Sequence, residues 1–145
     1  MKLHALSALA LGAAIAVGCG DSTGVQPDDL AGTWNATSVT FTSVANSSTS
    51  VEVIGLGATL TIVIQSNGSV SLAFNVPGET PSTDTGTLSV SGSDFTLVID
   101  GDTSTGTITR NGDVVTLSIQ TGVEFDFDDD GTDEAATAVI VLQKA

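Results

Sequence analysis

From residue 33 to the end of the chain, apolar and polar side chains alternate. No window repeats its apolar residues at the three-to-four spacing of a helix. Successive side chains of a strand point to opposite faces, so such alternation specifies a sheet with one face buried. It also sets register, because a slip of one residue would move every apolar side chain to the wrong face. Segment 59–65 puts Leu60, Ile62 and Ile64 on one face with Thr59 and Thr61 opposite. Segment 70–76 puts Val70, Leu72, Phe74 and Val76 against Ser69, Ser71, Ala73 and Asn75. Further alternating runs cover 33–44, 85–90, 95–100, 105–110, 114–120, 123–127 and 135–142, with 51–54 a short edge extension broken by Gly55 and Gly57. Turn signals separate them. Ser66-Asn67-Gly68 and Asn111-Gly112 predict tight hairpins with a type I′ pair of positive φ angles, residues 91–94 a second tight turn and 101–104 a third, while Pro77 to Pro81 predicts a longer loop.

These eight to nine short strands leave no room for crossover helices. Sequential hairpins make an antiparallel meander, and closing it removes the exposed edges. The expected fold is therefore all-β, an antiparallel up-and-down eight-stranded meander barrel, with a β-sandwich as the alternative. Membrane barrels need strands of about 9–11 residues with apolar exteriors. The strands here are shorter and polar outside, which predicts a soluble barrel.

The start of the chain has a different character. Met1, Lys2 and His4 make a short basic start, residues 3–17 form an almost unbroken apolar run, and small residues lead into Cys19, the one cysteine. The run falls short of the roughly 20 residues that span a bilayer, and the pattern is that of a secretory signal peptide. Ala16-Val17-Gly18-Cys19 resembles the lipobox of bacterial lipoproteins. The resemblance implies cleavage after Gly18 and lipidation of Cys19. That family usually has Leu where Ala16 stands, so ordinary signal-peptide cleavage is the alternative. The expected organisation is a signal peptide over 1–18, a lipidated cysteine and flexible tether over 19–29, and a barrel domain over 30–145. Gly20 after the cysteine favours, by the same resemblance, a lipid-anchored place in the cell envelope at the outer membrane.

Cleavage would remove His4 and Met1, the only histidine and methionine, from a chain that has no tyrosine. Histidine general bases, Ser-His-Asp and Cys-His catalysis, and His- or Cys-built metal sites are then excluded, and one cysteine builds no disulfide framework. No enzyme is expected. Seventeen acids against three Lys and Arg give a formal net charge of −14. So acidic a surface repels nucleic acid and anionic lipid, and leaves the acyl chains as the means of membrane attachment.

Leu30-Ala31-Gly32-Thr33-Trp34 resembles the Gly-x-Trp opening of lipocalin-like proteins. That resemblance implies a barrel end closed by Gly32 and Trp34, with Lys144 where the family places a terminal cation, usually Arg. Leu60, Ile62, Leu72, Phe74, Phe95, Leu97, Leu117 and Phe125 face inward by the alternation. They would line a ligand cavity if the barrel is hollow, and fill it if it is not. The leading expectation is non-enzymatic binding of an apolar small molecule, such as a fatty acid, lipid fragment or isoprenoid. The competing one is a structural or interaction module with a solid core, whose loops 46–50 and 78–84 meet an unidentified protein.

One acidic stretch carries a metal motif. Asp126-Phe127-Asp128-Asp129-Asp130-Gly131 contains the Asp-x-Asp-x-Asp-Gly half of a calcium loop. Position twelve is Thr137 rather than Glu, and the flanks read as strands. A weak Ca²⁺ site at Asp126, Asp128 and Asp130 is one reading, and a plain hairpin turning at Asp130-Gly131 is the other. No other cofactor is expected.

Overall fold

The structure, a computed structural model, describes residues 24–145. The expected signal peptide, Cys19 and the start of the expected tether lie outside the described residues. A helical turn α1 (Pro27–Leu30) leads into β1 (Gly32–Ser43), β2 (Ser50–Glu52), β3 (Thr59–Ile64), β4 (Ser69–Asn75), β5 (Ser82–Ser91), β6 (Asp94–Ile99), β7 (Asp102–Asn111), β8 (Val114–Phe125) and β9 (Glu134–Lys144). Every neighbouring pair is antiparallel, in the order β2-β1-β3-β4-β5-β6-β7-β8-β9, and β1 pairs again with β9. That last pairing runs from Trp34 opposite Lys144 to Ser43 opposite Ala136. It closes eight strands into an up-and-down barrel and excludes the sandwich.

Strands β2 and β3 share one position in the ring. The first half of β1 pairs with β3, Gly32 opposite Ile64, while its second half pairs with β2, Thr40 opposite Glu52. Where the two ladders part, Val53 N–H still reaches the Val39 carbonyl at 2.9 Å. The Val39 N–H is met by a side chain instead, Glu52 Oε1 at 3.0 Å. The same carboxylate accepts from Ile54 N–H at 3.1 Å and Gly55 N–H at 2.6 Å. An interrupted ladder would otherwise leave these donors without partners. Three backbone donors, Val39 first, hold the Glu52 carboxyl below its ordinary value.

The inward face matches the alternation. Leu60, Ile62, Ile64, Val70, Leu88, Phe95, Ile108, Val115, Leu117, Ile119, Ile140 and Leu142 are buried, with Leu72, Phe74, Leu97 and Phe125 packed against them. Two glycines inside strands let neighbouring strands come close. A Cβ at Gly86 would run into the Val98 carbonyl, and one at Gly106 into the Ser118 carbonyl. Glycine in a strand interior marks such close backbone approach.

Turns and boundaries differ in several places. Asn67 and Asn111 keep negative φ, so neither Asn-Gly forms a type I′ turn. In the β3–β4 hairpin Gly68 N–H bonds to the Gln65 carbonyl at 2.9 Å and Gly68 alone takes φ 85. This is a type I turn with a glycine bulge, supported by Asn67 Oδ1 accepting from Ser69 N–H at 2.9 Å. The type I′ pair is Asp100-Gly101, at φ 51 and 99. The expected turn over 101–104 is therefore one residue earlier and shorter, and β7 starts at Asp102. The expected strands 114–120 and 123–127 are one strand, β8, carried past a bulge between Ile119 and Val123. Strand β5 begins at Ser82, inside the loop expected over 78–84. Part of the segment expected as tether packs on the barrel: Gly24 lies against Gly92, and the helical turn over Pro27–Leu30 carries Leu30 fully buried into the core.

Candidate functional site

The two ends of the barrel are built differently. At one end the chain plugs itself. Trp34 is fully buried, and its indole Nε1–H donates to the Leu30 carbonyl at 2.7 Å, tying β1 to α1. Lys144 Nζ lies 5.5 Å from the centre of the indole and the Arg110 guanidinium carbon 6.0 Å from it. Both distances are within cation–π range. Gly32 lies under the lysine, where a Cβ would come 3.2 Å from Lys144 Cε. Gly32, Trp34 and Lys144 thus meet in space. Arg110 joins them, a residue that the sequence reading left unassigned. Its guanidinium also donates to the Asp29 carbonyl at 2.6 Å and, through Nε, to the Gly112 carbonyl at 2.8 Å.

The middle of the barrel is nearly solid. A void of about 20 Å³ remains among Ile62, Leu72, Leu97, Leu117, Leu142 and neighbouring aliphatic side chains. A wholly apolar space of that size stays dry and holds no ligand.

The other end is open. A cavity of about 480 Å³ lies between the β2–β3 loop, the β4–β5 loop and the β8–β9 loop. Its floor is apolar: Phe41, Val51, Val53, Ala58, Phe74 and Phe125. Phe41 and Phe125 stack with ring centres 4.6 Å apart, and Phe127 meets Phe125 edge-on at 5.0 Å. Leu56, 71% exposed, stands on the rim beside Val76 and Pro77. The rest of the lining is acidic: Glu79, Glu124, Asp126, Asp129 and Asp133. The volume falls within the roughly 300–1,000 Å³ usual for small-molecule sites.

The inward residues expected to line a ligand cavity therefore divide. Phe74 and Phe125 line the open cavity, Ile62, Leu72, Leu97 and Leu117 surround the small dry void, and Leu60 and Phe95 line neither space. Phe41, Val51, Val53, Leu56 and Ala58 line the mouth without having been expected there. The signal that could have found Val51, Val53, Leu56 and Ala58 is the surplus of apolar residues over 51–58 around two glycines, where no strict alternation assigns a face, whereas Phe41 lies past a bulge in β1 between Ala36 and Ser38.

The acidic stretch forms the β8–β9 loop beside the mouth. Asp126 Oδ1 accepts from the N–H groups of Asp128 and Asp130, each at 3.3 Å, and Oδ2 from Gly131 N–H at 2.8 Å. These donors, Gly131 foremost, hold the Asp126 carboxyl below its ordinary value. Asp130 Oδ1 accepts from Thr132 N–H at 2.8 Å, and Glu134 Oε2 from Phe127 N–H at 3.0 Å. Asp126, Asp128, Asp130 and Glu134 bring one carboxylate oxygen each to within 4.8 Å of one another. Glu134 stands with the three aspartates, and Thr137 is not among the converging groups. Asp126 also lines the cavity, just past the end of β8 at Phe125, where the strand alternation no longer sets its face.

No family model and no curated protein matches the chain. Among solved structures it is similar to "The crystal structure of intact afifavidin apo form", at 19% identity and a TM-score of 0.34, over 76% of this chain and 84% of that one. An overlap that loose decides nothing about function, and the barrel assignment rests on the strand pairing described above.

Proposed function

We propose that this chain is a cell-envelope lipoprotein whose barrel binds a small molecule with an apolar body at its open mouth, without catalysing a reaction. The observation that carries the reading is the asymmetry of the barrel. One end is sealed by Trp34, the middle is packed, and the other end holds about 480 Å³ over an aromatic floor. Cys19 is the proposed anchor and 20–23 the remaining tether, which would hold the domain at the outer membrane. The absence of histidine, tyrosine and a free thiol from the chain after Cys19 supports a binding role.

Native mass spectrometry of the mature chain, incubated with a lipid extract of the source cells, tests the binding. A discrete added mass, lost when Phe74 is replaced by Asp, is expected. A clean apo mass would refute it and turn attention to the second reading, an interaction module, which the packed barrel middle and the exposed Leu56 favour. For the anchor, Cys19→Ser should move the protein from the membrane fraction to the soluble one.

A further inference from the structure

We propose that the mouth selects a cationic amphiphile: a molecule with a short apolar body and a positively charged head, such as an alkylammonium. The inference rests on the mouth being a small-molecule site and assigns the charge of its ligand. A fatty acid, the first expectation for such a barrel, fits poorly.

Charge and apolar surface are layered in the cavity. The floor of Phe41, Phe74 and Phe125 can cover a hydrocarbon body, and five carboxylates ring it with no Lys or Arg in the lining. The side chains of these acids are not equivalent. Asp126 is committed to the backbone of its own loop. No hydrogen bond among the described residues engages the carboxylates of Glu79, Glu124, Asp129 or Asp133, which leaves them for a charged head. Arg110 and Lys144, the only basic side chains among the described residues, both lie at the opposite end of the barrel against Trp34. Among the described residues nothing at the mouth therefore neutralises the ring. Low-dielectric walls lined by one sign of charge focus the field and raise the local concentration of counter-ions. An anionic head would instead meet four or five like charges while its tail is buried, which is repulsive in the same geometry.

Three probes with the same ten-carbon tail separate the possibilities: decylammonium, decanol and decanoate, titrated calorimetrically into the mature protein at pH 7 below their micelle concentrations. Decylammonium should bind at least ten-fold more tightly than decanol, with decanoate weakest. Raising NaCl from about 20 to 300 mM should shrink the preference several-fold, because the Debye length falls from about 20 Å to about 6 Å. A Glu79→Gln, Glu124→Gln, Asp129→Asn, Asp133→Asn variant should lose the preference yet keep its affinity for decanol. A control with Asp28, Asp84, Asp94 and Asp113 changed to Asn should keep the preference. Equal binding of all three probes, or tighter binding of decanoate, overturns the charge selection and leaves the mouth as an apolar site. A preference that survives in the mouth variant, or vanishes in the control, overturns it too by assigning the effect to general surface charge. Binding of none of the three refutes the small-molecule reading itself.

Discussion

Replacing Trp34 by Phe isolates what the indole contributes to sealing the barrel. The phenyl ring keeps an aromatic body in the site but removes the donor that reaches the Leu30 carbonyl at 2.7 Å. Leu30 is fully buried, so its carbonyl gains no water in return. Leaving a buried acceptor unpaired costs about 1–3 kcal/mol. Lys144 and Arg110 also face a weaker π-surface, at roughly 0.5 kcal/mol each. The smaller ring adds a modest cavity term. Together these give a loss of about 2–4 kcal/mol. At roughly 2.1 cal/mol/K per residue over the described 24–145, that lowers Tm by about 8–15 °C. Trp34 is the one tryptophan and the chain has no tyrosine, so the variant loses its near-ultraviolet signal. Urea and thermal unfolding should therefore be followed by far-ultraviolet circular dichroism in both proteins. A Tm within about 2 °C of the parent would refute the argument that this hydrogen bond and the two cations seal the end. Lys144→Met should reproduce about a quarter of the loss, since it removes one cation and keeps the packing stem.

Further perturbations test other joints of the structure. Gly106→Ala drives a Cβ into the Ser118 carbonyl, so it should lower stability by about 2 kcal/mol or more in urea unfolding, whereas a tolerated alanine would mean that the strands are not so close. Glu52→Gln should destabilise the barrel at pH 7. Because the folded carboxyl sits below its ordinary 4.5, the carboxylate's contribution is present above that value and lost as pH falls through the folded one. The gap in Tm between parent and variant should therefore close on acidification below 4.5, and a gap constant with pH would refute the role of the charged form. At the β8–β9 loop, the converging oxygens of Asp126, Asp128, Asp130 and Glu134 predict weak Ca²⁺ binding, seen as heat in a millimolar titration and abolished by Asp130→Asn. A titration without heat would leave the loop as a hairpin held by its own Asx-type bonds.

Much of the fold was legible because period-two patterning is a local property. Leu60, Ile62, Ile64 and Val70 declare their face from their immediate neighbours, and burial agrees with them. Turn positions were legible through glycine, but turn type was not. Asn67-Gly68 and Asp100-Gly101 look alike in sequence, yet the first makes a type I turn with a bulge and the second a type I′ turn. The choice depends on the register and twist of the flanking strands. The single strand β8 was read as two because Gln120-Thr121-Gly122 interrupt the apolar pattern, where four residue steps of β8 stand against two of β9 and the facing resumes unchanged at Val123. Trp34 and Lys144 could be matched as the two ends of a closing pair. Arg110 could not, since its 81-residue separation from Asp29 leaves no periodic trace.

The sequence by itself determined that this chain makes antiparallel strands with one apolar face, and that after Cys19 it carries no histidine, tyrosine or further cysteine. Both follow from residue type and nearest-neighbour spacing, which need no long-range information. Tertiary structure alone decided that the meander closes, Trp34 opposite Lys144, rather than folding over as a sandwich. It also decided which end is sealed and which is open. The mouth gathers Phe41, Val53, Phe74, Phe125 and a ring of acids from strand ends and loops scattered between residues 41 and 133. Their convergence depends on the curvature and register of the closed sheet, and these are properties of the whole ring of strands.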